Sequence, residues 1–95
     1  MENKLDPEFK KKWVNALRSG EYKQGDCSLF RNGKYCCLGV ASVILGWDKK
    51  GDGYKFLPDL IQYGGASGFG SRLVQMNDSH EKTFNQIADF IDKNL

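Results

Sequence analysis

A small single α+β domain is the architecture to which these 95 residues point, and three features point to it. Apolar residues recur at helical spacing near both ends of the chain. An Asn-Gly pair separates two short strand-like runs, and a nearly unbroken apolar stretch follows them. Helices and a hairpin that do not alternate regularly make an α+β fold rather than a parallel α/β one. Two cores would leave each half too small to fold unaided, so residues 1–95 are taken as one domain, with residues 1–5 a flexible leader.

The first element opens at Asp6-Pro7-Glu8. Asp6 can cap free backbone donors, Pro7 suits the first helical position, and Glu8 complements the positive end of the dipole. Phe9, Trp13, Ala16 and Leu17 then share one face, and Gly20 can take the left-handed conformation that closes a helix. Cys27 to Arg31 and Lys34 to Cys36 flank Asn32-Gly33, which tolerates positive φ at both centres of a type I′ turn, so a β-hairpin is expected. Cys37 to Leu45 is apolar almost throughout and is followed by Gly46. Its length favours a buried central helix, although its β-branched residues would also suit a strand. Glycines punctuate the stretch from Gly46 to Arg72. There Tyr54-Lys55-Phe56-Leu57 reads as a short extended piece, Pro58 to Ile61 as one helical turn, and Gly64 to Arg72 as a Gly-rich loop. Leu73-Val74-Gln75-Met76 returns to the core as a helical turn or short strand. Thr83 and Gln86 have the spacing of a capping box. Phe84, Ile87, Ala88, Ile91 and Leu95 then trace the apolar stripe of a C-terminal helix.

Low hydrophobicity combined with a large net charge keeps chains unfolded. Hydrophobic residues at 40% and a net charge of +2 exclude that class. No run approaches the roughly 18 apolar residues that cross a bilayer, and the opening MENKLDPEFKKKW lacks the apolar core of a secretory signal. A cytoplasmic protein with no membrane partner is expected. Its three cysteines, Cys27, Cys36 and Cys37, form no C-x-x-C pair, and there is one histidine. Neither a metal site nor a cofactor is therefore expected. Lys10, Lys11, Lys12 and Arg18 gather on the first helix, where a solvated face is the plain reading. A helix-turn-helix built on the last helix would turn Asp89 and Asp92 towards phosphates, so DNA is not an expected partner. Asp48, Asp52, Gly53 and Asp59 imitate a calcium loop, but Lys50 occupies a position that requires an oxygen ligand.

The stretch Tyr35-Cys36-Cys37-Leu38-Gly39-Val40, the later Met76-Asn77-Asp78, and the helix Phe84-Asn85-Gln86-Ile87-Ala88-Asp89-Phe90-Ile91 together resemble a family. The likeness is to small uncharacterised proteins encoded by tailed bacteriophages and prophages, and it covers most of the chain. It implies a phage or prophage origin and a bacterial host cytoplasm, and it supplies no catalytic residues. Those proteins often carry Gly near the position of His80, which weighs against a scheme that needs this histidine.

Two groups of residues compete for a chemical role. A thiol at a helix N-terminus is acidified by the dipole, so Cys36 or Cys37 could serve as nucleophile. His80 would be its base and Asn77 or Asp78 the orienting group, as in cysteine hydrolases. The plainer reading makes both cysteines small core hydrophobes. The second group is the glycine-rich segment. Backbone N–H groups around Gly65, Gly68, Gly70 and Ser71 could form an anion nest, with Arg72 giving a bidentate phosphate contact. The spacing matches neither the P-loop nor the dinucleotide fingerprint, and a flexible connection is the alternative. Trp47, Tyr54, Tyr63 and Phe69 could stack on a base, with Tyr35 a lesser candidate. Asn77-Asp78 otherwise reads as a cap or turn.

These readings favour a non-enzymatic binding module. The chain would be a small phage accessory protein that sequesters a nucleotide immune signal, such as a cyclic nucleotide, to counter host defence. A domain this small would enclose a ligand between copies, so a homo-oligomer is expected. Two alternatives stand beside it: a cysteine-dependent hydrolase using Cys36 or Cys37 with His80, and a protein–protein inhibitor of a host enzyme acting through the basic first helix.

Overall fold

The computed structural model describes residues 5–25, 28–62, 68–79 and 82–95. Helix α1 (Pro7–Ser19) leads into strands β1 (Lys23–Gln24), β2 (Phe30–Arg31) and β3 (Lys34–Tyr35), and then helix α2 (Cys37–Ile44). Two 3₁₀ turns, Gly53–Phe56 and Asp59–Ile61, precede helices α3 (Phe69–Asp78) and α4 (Phe84–Asn94). This is a small α+β domain whose helices enclose the core and whose sheet lies at one side.

Helix α1 begins where Asp6 Oδ2 accepts the Phe9 N–H at 3.1 Å, with Pro7 in its first turn, and it ends at Gly20 with φ 81°. Leu5, expected in a flexible leader, is instead buried, and its N–H donates to the Leu95 carbonyl at 3.1 Å. The hairpin has Phe30 opposite Tyr35 and Arg31 opposite Lys34, with Asn32 and Gly33 at φ 53° and 79°. The sheet also holds a strand that the sequence did not reveal. β1 pairs in parallel with β3, giving the order β1-β3-β2.

Helix α2 is the centre of the core: Cys37, Leu38, Gly39, Val40, Ala41 and Ser42 are all buried. Trp13, with no exposed surface, donates its Nε1–H to the Cys37 carbonyl at 2.9 Å. A Cβ at Gly39 would run into the Leu29 carbonyl, so α2 and the hairpin meet backbone to backbone. Tyr35 to Val40 is thus a junction, comprising the end of β3, the cap of α2 and its buried first turn.

Beyond α2 the structure departs from the sequence reading in two places. Tyr54-Lys55-Phe56 is not extended but belongs to a 3₁₀ turn, which Asp52 Oδ1 caps by accepting the Tyr54 N–H at 2.9 Å. Phe69, Gly70, Ser71 and Arg72 are not loop but the first turn of α3, which continues through Leu73–Met76 to Asp78. Gly70 explains the misreading. A Cβ there would collide with the backbone of Ile61 and Gln62, so packing overrides the poor helix propensity of glycine. Gln62 fastens this region further by donating from Nε2 to the carbonyls of Tyr54 and Leu57, each at 2.8 Å.

Candidate functional site

A groove of about 380 Å³ opens between the hairpin and the segment after α2. Ser28, Leu29 and Phe30 form one side, and Trp47, Lys49, Asp52 and Tyr54 line the other. The local sequence shapes this second side. Asp48 Oδ1 accepts the Lys50 N–H at 2.9 Å and tightens the turn. Trp47, 7% exposed, donates its indole N–H to the Lys50 carbonyl at 2.8 Å, and it backs the groove as a fixed wall. Ser42 in α2 donates to the Gly53 carbonyl at 2.9 Å and ties the far end of the turn to the core. Two of the carboxylates that imitated a calcium loop, Asp48 and Asp52, are therefore turn caps. Among the described residues no cluster of metal-ligating side chains occurs.

Lys49 is the residue that sequence reasoning missed. Its Nζ lies 5.1 Å from the Phe30 ring centre and 5.6 Å from that of Tyr35. The two rings are 4.9 Å apart, and Tyr22 meets Tyr35 edge-on at 5.0 Å. Lys49 also adopts φ 73°, a left-handed conformation unusual for a residue with a side chain. The only signal in the sequence was a lysine in a turn beside aromatic residues, which is common.

Of the residues proposed for ligand binding, Trp47 and Tyr54 come together in this groove, and Tyr35 lies beneath the same ammonium. Gly68, Phe69, Gly70, Ser71 and Arg72 do not line it. Gly68 precedes α3, Gly70 is buried against the Ile61–Gln62 backbone, and Phe69 meets Phe90 of α4 edge-on at 6.4 Å. Arg72 is exposed within α3. Tyr63, Gly64 and Gly65 lie outside the described residues.

The two adjacent cysteines sit in the core. Cys36 is 3% exposed, and its Sγ accepts the Gly39 N–H at 3.4 Å, so it serves as the N-cap of α2. Burial raises its pKa from 9.0 to about 11, and the Gly39 hydrogen bond offsets only part of that shift. Cys37, with no exposed surface, donates to the Leu73 carbonyl at 3.6 Å, and burial pushes its thiol well above the ordinary value. Desolvation outweighs the dipole, and both thiols are held protonated where a nucleophile must ionise. His80 lies outside the described residues.

Asn77, considered as an orienting group, is 1% exposed and structurally committed. Its Nδ2 donates to the Gly25 carbonyl at 2.7 Å and to Asp78 Oδ1 at 3.0 Å, while its Oδ1 accepts from Gln24 Nε2 at 3.0 Å. Gln24 in turn donates to the Lys82 carbonyl at 2.9 Å and accepts the Phe84 N–H at 3.0 Å. The pair knits β1 to the end of α3 and the start of α4.

The basic face of α1 spends much of its charge within the molecule. Lys10 Nζ donates to the Asp92 carbonyl at 3.1 Å, and Arg18 pairs with Asp89 at 2.9 Å and Asp92 at 3.4 Å. No described helix is long and apolar enough to cross a membrane.

The model of a family described as a domain of unknown function (DUF8296) matches residues 5–54, a little over half of the chain. The matched stretch contains the whole lining of the groove and ends at Tyr54. No curated protein and no solved structure matches.

Proposed function

Given that the chain belongs to the DUF8296 family, we propose that it is a non-enzymatic binding module that holds a nucleotide in the groove between the hairpin and the Trp47–Tyr54 turn. Its biological setting in this reading is a phage or prophage accessory protein that withdraws a nucleotide immune signal inside a bacterial host cytoplasm. The observation that carries the binding reading is the side-chain chemistry of the groove. Aromatic residues from two sides, Phe30 and Tyr54, line about 380 Å³ together with one cation, Lys49, whose ammonium stands over the Phe30 ring, a volume within the usual range for small-molecule sites of roughly 300–1,000 Å³. Aromatic faces take any base, and an ammonium takes a phosphate. Asp52 at the rim can accept from a ribose hydroxyl. The groove opens to solvent along one side, and a second copy laid over it would enclose the ligand.

Calorimetry and thermal melting with mononucleotides, cyclic di- and trinucleotides and cyclic ADP-ribose isomers test the proposal. At least one nucleotide should bind and, at a hundredfold excess over its Kd, raise stability by about 2.7 kcal/mol. Tyr54→Ala should weaken that binding by about 1–3 kcal/mol. Absence of heat and of thermal shift across the panel rejects the reading. Gel filtration with and without the bound nucleotide reports whether a second copy closes the groove.

A further inference from the structure

The groove's most unusual feature is where its cation rests. The Lys49 ammonium stands over the faces of Phe30 and Tyr35, at 5.1 and 5.6 Å from the ring centres. It thereby covers the face of Phe30, the member of this pair that lines the groove and on which a flat ring entering it would stack. Lys49 reaches this position from a backbone at φ 73°, where glycine or asparagine would be at ease. Nearby Gly51 takes a comparable left-handed φ of 68° at no steric cost. The turn itself gains nothing from a side chain at this φ, so what sets Lys49 apart is its contact with the two rings.

We infer that Lys49 is an exchangeable anchor, whose ammonium leaves the Phe30–Tyr35 surface to a ligand's aromatic ring and turns to the anionic group of the same ligand. The inference rests on the nucleotide reading of the groove and assigns this residue its specificity. The exchange requires both halves of a ligand. A bare phosphate would have to draw the ammonium off two aromatic faces and leave them to water. A bare base would displace the ammonium without giving it a new partner. A ring that carries an anionic group supplies the stacking and the charge-assisted hydrogen bond together. The recognised class is therefore the planar aromatic phosphate, ahead of either the free base or the sugar phosphate.

The test uses AMP, adenosine and ribose 5-phosphate in calorimetric titrations of the full chain and of Lys49→Met and Lys49→Arg. Methionine keeps the apolar contact with the rings, and both replacements share the left-handed backbone, so thermal melting should show folded variants. The wild-type protein should bind AMP about tenfold or more tighter than either fragment. Lys49→Met should bring AMP down to the level of adenosine, and Lys49→Arg should retain most of the preference. In NMR spectra, AMP should shift the Phe30 and Tyr35 ring protons. AMP binding to Lys49→Met within a factor of two of wild type overturns the inference, as does adenosine binding as tightly as AMP, or no AMP binding. The nucleotide reading survives each of these results if another member of its wider panel binds.

Discussion

Cys36 has two opposing influences on one sulfur: the α2 N-terminus offers it a backbone N–H, and the core removes its water. Burial prevails, and the consequence is a pH dependence with a definite sign. The folded thiol titrates near 11 against an ordinary 9.0, so the stabilisation is complete below about pH 9. It is lost as pH rises from there towards 11, because the unfolded chain ionises first. The loss attributable to this thiol should reach about 2–3 kcal/mol. Cys36→Ser keeps a capping oxygen and removes the thiol, so its stability measured between pH 8 and 10.5 should fall less steeply than that of wild type. Iodoacetamide at neutral pH, followed by mass mapping, should leave Cys36 and Cys37 unmodified until the protein unfolds. Rapid labelling of either in the native state would contradict their burial. Asn77 is the other residue with large leverage. Asn77→Ala removes the side-chain donor to the Gly25 carbonyl and one of the two acceptors of Gln24 Nε2, and chemical denaturation should show a loss of about 1–3 kcal/mol.

Among the elements, those with chemical punctuation were legible in the sequence. Asp6-Pro7 and Gly20 bracket α1, Asn32-Gly33 sets the hairpin, and Thr83 with Gln86 caps α4 through reciprocal bonds of 3.3 and 2.9 Å. Thr83→Ala should cost about 1 kcal/mol, which for a domain of this size lowers Tm by about 4–8 °C. The start of α3 was illegible because its glycine answers to the Ile61–Gln62 backbone, a neighbour that only the folded chain supplies. β1 was missed because two residues are too few to show a period. The groove was half legible. Its aromatic walls at Trp47 and Tyr54 could be nominated by residue type, whereas the position of Lys49 over Phe30 is a tertiary event. Gly39→Ala probes the junction between hairpin and α2. The new methyl must push Leu29 away, and the variant should lose about 1–3 kcal/mol or more, read as a lowered urea midpoint.

The whole molecule is closed by its outer helices. α1 packs on both α2 and α4, and Leu5 and Leu95 join across them. The radius of gyration is 11.9 Å, close to the roughly 12 Å of a folded chain this long. One core implies one unfolding event. Far- and near-ultraviolet circular dichroism should follow a single urea transition with a slope of about 1 kcal/mol/M. Two separated transitions would show that the groove segment unfolds independently of the helices. The chain's two tryptophans divide between these territories. Trp13 is sealed between α1 and α2, and Trp47 backs the groove. Their fluorescence therefore gives two built-in reporters, one for the integrity of the interior and one for occupancy at the surface. Single Trp→Phe replacements would let each be read alone, without any attached dye.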